Sequence, residues 1–104
     1  MLSFNWDEEN IRHLARHKIS PAEVEEVIGN RPRDVESELR NGEERVVQVG
    51  ETDAGRILIV VSTTRNLKIR VVTAWPAKER LRRYCQTQKR NGNVGRIEEH
   101  DLRE

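Results

Sequence analysis

The unbroken apolar run Ile57-Leu58-Ile59-Val60-Val61 most constrains this chain of 104 residues, in which 36% of the side chains are charged. Five residues rich in β-branched side chains have the length of a strand rather than a helix. Because the run does not alternate, it presents apolar groups on both sides, as a central strand covered on both faces requires. The rest of the chain has to build a sheet around it.

The neighbouring segments fit that role. Arg33–Leu39 and Glu43–Val49 have a period of two and read as half-exposed strands, joined through Arg40-Asn41-Gly42, where an Asn-Gly pair suits positive φ at both turn centres. Lys68–Trp75 follows the central strand after the short link Arg65-Asn66-Leu67, and Pro76 ends it. Leu2–Phe4 reads as a short first strand. Between it and the hairpin lie two helices. The first spans about residues 8–18, with Ile11, Leu14 and Ala15 as a narrow apolar stripe. The second opens with Ser20-Pro21-Ala22-Glu23, a capping box with proline at the first helical position, and carries Val24, Val27 and Ile28 up to Gly29. A third helix spans about Ala77–Gln88. The expected order is β-α-α-β-β-β-β-α, an α+β sandwich of two layers with a meandering, mainly antiparallel sheet and the helices on one face. Residues 1–90 form one domain in this reading, and 91–104 a flexible polar C-terminal tail in which Ile97 and Leu102 are isolated.

Charge is sorted along the chain. Residues 65–90 carry nine Lys/Arg against Glu79 alone, whereas the formal net charge of the whole is only +1. Like charge gathered on one strand and one helix repels itself, and a polyanion such as nucleic acid relieves it; a solvated basic face is the plainer alternative. One cysteine, Cys85, cannot form an internal disulfide, and the segment Met1–Asp7 lacks the pattern of an export signal, so a cytoplasmic protein is expected. No apolar run approaches the roughly 20 residues of a membrane span.

Phe4-x-Trp6-Asp7 before a helix ending Arg16-His17, the Ser20-x-Ala22-Glu23 helix start, Gly42-Glu43-Glu44-Arg45 opening a strand, and Ile59-Val60-Val61-x-Thr63-x-Arg65 followed by Ile69-Arg70-Val71-Val72-x-Ala74 together resemble the BrnT family of bacterial toxins. The resemblance covers about residues 2–88. It implies a RelE-like fold, an endoribonuclease acting on messenger RNA, and neutralisation by a cognate BrnA-like antitoxin, with a homodimer or a toxin–antitoxin heterotetramer as possible assemblies. Three departures stand out: Arg16-His17-Lys18 where the family commonly has Lys-His-Gly, Ala74-Trp75 where it has Ala-Arg, and Glu79 five residues before Tyr84 where a spacing of four is usual.

RNA cleavage by the neighbouring 2′-hydroxyl needs a proton acceptor, cations on the phosphate oxygens and a proton for the leaving 5′-oxygen. Arg65 and Arg70 flank the turn before the last strand and are the first candidates for the cation role, since a guanidinium holds phosphate bidentately. His13 and His17, four apart on one helical face, are the candidate proton carriers; the plainer reading is a half-buried histidine and a helix-end histidine. Lys78, Arg82, Arg83 and Trp75 are candidate RNA-binding residues, Trp75 as a stacking ring or as core. Two histidines at i, i+4 offer half a zinc site, but nothing places a third ligand, so no metal or cofactor is expected. A non-catalytic module that binds nucleic acid or an acidic protein remains the alternative to a ribonuclease.

Overall fold

A computed structural model describes residues 3–91 and 97–104, with side chains through Gln86 and from Ile97 onward. The elements are α1 (Glu8–Arg16), α2 (Pro21–Gly29), β1 (Arg33–Arg40), β2 (Glu43–Glu51), β3 (Ile57–Arg65), β4 (Lys68–Pro76), α3 (Glu79–Asn91) and a 3₁₀ turn, Glu99–Leu102. The strands form an antiparallel meander in the order β1-β2-β3-β4. Only part of the expected first strand is present: Phe4 makes a single parallel bridge to Ile69 of β4, and Leu2 lies outside the described residues. Local chemistry sets the element ends. Asp7 caps α1 by accepting the Asn10 amide, and the Ser20–Glu23 capping box is made in both directions at the start of α2. Asn41 and Gly42 take φ of 51° and 79°, as a tight hairpin requires.

The expectation of two layers with helices on one face is corrected. Alternation along β3 sends Leu58 and Val60 to one side, where they pack with Leu14, Ile19, Val24 and Val27 of the α1–α2 region. Ile57 and Ile59 point to the other side and pack with Val49, Ala77, and Leu81 and Tyr84 of α3. Helices therefore cover both faces, in three layers, because a strand that is apolar on both sides cannot leave either side to water. Ile97 and Leu102, isolated in the sequence, pack against the α3-side cluster, and buried Asp101 is ion-paired with Arg80 of α3. Among the described residues no helix is long and apolar enough to cross a membrane.

Candidate active site

The α3-side face is covered unevenly. From β4 the chain turns through Ala77 into α3, whose Leu81 and Tyr84 lie over Ile57, Ile59 and Val49. Tyr84 also reaches β1, where Arg33 Nη1 donates to its hydroxyl at 2.8 Å. The opposite end of the same face holds polar residues. Strand alternation places Arg45 of β2 in line with Val47 and Val49, and Thr63 and Arg65 of β3 in line with Ile59 and Val61; Arg70 of β4 is paired with Thr63. A bulge between the Val61 and Ser62 pairings inserts one extra residue into β4.

These residues meet α1 around one open cavity of about 280 Å³, lined by Glu9, Asn10 and His13 of α1, Glu43 and Arg45 of β2, Thr63 and Arg65 of β3, and Arg70 and Val72 of β4. His13 is held there: its Nε2 and Thr73 Oγ1 are hydrogen-bonded at 2.9 Å. Asn10 Nδ2 donates to the Val71 carbonyl at 3.0 Å, fixing α1 to β4, while its buried Oδ1 has no donor among the described residues.

The guanidiniums differ in how they are engaged. Arg65 grips Glu43 bidentately, with Nη2 donating to Oε1 at 2.7 Å and Nε donating to Oε2. That hydrogen bond holds the Glu43 carboxyl below its usual range, so it stays ionised. Arg70 lies 3.1 Å from Asp7, whose carboxyl is held low chiefly by the Asn10 amide and further by Arg70. Among the described residues Arg45 has no ion-pair partner within 4 Å, although its charge helps to lower Glu43, and it lines the cavity without being among the candidates from sequence. Its signal was available, since the period of two in β2 aligns a charged side chain with the core-facing Val47 and Val49.

The structure thus brings His13, Arg65 and Arg70 together and leaves the other candidates elsewhere. His17 is the C-cap of α1, with its ring edge-on to His13 at 5.9 Å and its Nε2 3.4 Å from Glu104 Oε1; it does not line the cavity. Lys78 and Arg82 are exposed beyond the far end of β4, and the six steps from Arg70 to Pro76 span roughly 20 Å of extended chain. Arg83 is ion-paired with Glu79 at 2.7 Å. Trp75 is half-buried against the α3-side cluster, and its buried indole N–H has no acceptor among the described residues. Lys89 and Arg90, counted in the basic stretch, lie outside the described side chains. Among the described residues no three His, Cys, Asp or Glu side chains gather as metal ligands.

Residues 6–80 match the model of a family described as the ribonuclease toxin BrnT of type II toxin–antitoxin systems. Searches of curated proteins and of solved structures gave no match.

Proposed function

The chain belongs to the BrnT family of ribonuclease toxins of type II toxin–antitoxin systems, and we propose that it cleaves messenger RNA without a metal, in the cavity between α1 and the open end of the sheet. The observation that carries this reading is the meeting of one imidazole, His13, with the guanidiniums of Arg45, Arg65 and Arg70 around a single cavity. An imidazole, with an ordinary pKa of about 6.5, exchanges protons near neutral pH. In the proposed step His13 takes the proton of a 2′-hydroxyl, and the 2′-oxygen forms a bond to the adjacent phosphorus. The bond to the 5′-oxygen breaks, water supplies that oxygen's proton, and the products carry a 2′,3′-cyclic phosphate and a 5′-hydroxyl. Arg45 and Arg70 hold the non-bridging oxygens as charge develops. Arg65, oriented by Glu43, adds positive potential at the cavity wall. A cognate BrnA-like antitoxin neutralises the activity by covering this face.

The test is incubation of the purified protein with single-stranded RNA in chelator, followed by mapping of the ends. Cyclic phosphate ends are expected. Arg45→Ala, Arg65→Ala and Arg70→Ala should each slow cleavage while leaving the melting transition within about 3 °C, since half-exposed arginines contribute little to stability. Arginine variants that cut as fast as the parent would remove the cavity from the reaction. The ion pairs on Arg65 and Arg70 favour a second reading, a non-catalytic binding module; RNA bound but uncut in the same assay, with and without divalent metal, would establish it.

A further inference from the structure

The two hairpin tips at the open end of the sheet form an internal comparison. Both turns have positive φ at two successive positions: Asn41 at 51° and Gly42 at 79° between β1 and β2, Asn66 at 50° and Leu67 at 64° between β3 and β4. The first turn uses the Asn-Gly pair that such a turn favours. The second places leucine where glycine serves, in a backbone region that clashes with a β-carbon. Among the described residues the leucine gains almost no burial, because Leu67 is 94% exposed. A strained backbone under an exposed apolar side chain points to a contact made outside the folded chain.

The surroundings say what that contact is. Leu67 stands between Arg65 and Lys68, and Arg70 follows two residues later; Arg65 and Arg70 line the cavity. An apolar side chain set among cations suits a ligand that is anionic along its backbone and apolar on its faces, as single-stranded RNA is. We propose that Leu67 is an RNA-positioning residue, packing against an unpaired base of the strand whose phosphate occupies the cavity, as an aliphatic wedge packs between bases. This rests on the ribonuclease reading above.

The test uses a mixed-sequence, single-stranded RNA carrying 2′-O-methyl groups, which cannot be cut, with affinity read by fluorescence anisotropy. Leu67→Gly should bind about tenfold more weakly than the parent, and its melting temperature should equal or exceed the parent's because glycine relieves the turn. Leu67→Asn, which also tolerates this backbone, should lose affinity similarly, and Leu67→Met should restore most of it. With cleavable RNA the loss should fall on KM, with kcat within about threefold. Unchanged affinity in Leu67→Gly while the parent binds overturns the inference and leaves the ribonuclease reading standing. A parent that neither binds the probe nor cuts unmodified RNA overturns both.

Discussion

Gly50 offers a stability test that separates folding from function. It lies in β2 under α2, and a β-carbon built there would stand 2.8 Å from Val27 Cγ1, 3.0 Å from Pro32 Cβ and 3.3 Å from Pro32 Cα. Val27 is fully buried and Pro32 has no side-chain freedom, so the Gly50→Ala methyl group has to push backbone or core aside. Overpacking of this kind costs about 1–3 kcal/mol, offset by roughly 0.5–1 kcal/mol because alanine restricts the unfolded chain. Contacts as short as 2.8 Å put the cost in the upper half of that range, so the net loss is about 1–2.5 kcal/mol, a fall in Tm of about 5–15 °C for a chain of this size. Val27→Ala alone should cost about 2 kcal/mol through lost burial. The double variant should then be more stable than the sum of the two losses by about 1 kcal/mol, because the 2.8 Å contact is gone while those to Pro32 remain. Far-UV circular dichroism melts of the four proteins measure this cycle. Since Gly50 is paired with Leu58, at the end of the sheet away from the cavity, RNA cleavage at 20 °C should persist in Gly50→Ala. A Gly50→Ala variant melting within 2 °C of the parent, or strictly additive losses, would refute the close approach of α2 to β2.

Lys18 follows the α1 C-cap with φ at 58°, so Lys18→Gly should gain about 1 kcal/mol and raise Tm by about 5 °C in the same melts; an unchanged or lower Tm would contradict that backbone. Asp7, Glu23, Glu43 and Asp101 all have carboxyls held below their ordinary values, Glu23 chiefly by the Ser20 amide and Asp101 by Arg80 against the burial that pushes it up. The native state therefore binds fewer protons than the unfolded one near these values; their stabilisation is complete above about pH 4.5 and is lost as pH falls through the lowered native values. Tm measured from pH 7 to pH 3 should drop most steeply below about pH 4, and Asp101→Asn should make that drop shallower; an equal drop in the variant would show that Asp101 does not contribute.

Much of this fold was legible where one local interaction decides it. The Ser20–Glu23 box announces α2, and Asn41-Gly42 announces the first hairpin, because capping and turn chemistry act within four residues. Ile57–Val61 also announces cover on both faces, but the side on which α3 packs depends on where the chain goes after Pro76, which no local pattern sets. At the cavity, the nearness of Arg65 and Arg70 is legible from their places around the last turn. For Arg45 the period of two in β2 signals only which face it takes, since register alone brings it beside Thr63 from a strand far away in sequence. Spacing placed His13 and His17 on one helical face, yet which of them reaches the cavity follows from α1 packing beside β4, where Thr73 meets His13. The pairing of Asp101 with Arg80 joins residues 21 apart, and no local pattern signals it.

The most direct test of the ribonuclease account is the cleavage rate of single-stranded RNA in chelator by His13→Gln beside His17→Gln. Glutamine keeps much of the size and hydrogen bonding of histidine but cannot carry the proton. If His13 accepts the 2′-hydroxyl proton, its variant should cleave about 10²-fold more slowly or worse, the usual contribution of a positioned acid–base group. It should still bind 2′-O-methyl RNA as the parent does, while His17→Gln, altered outside the cavity, stays within about threefold of the parent rate. A His13→Gln protein that cleaves at the parent rate, with an unchanged pH profile between about 5 and 8, would contradict the account.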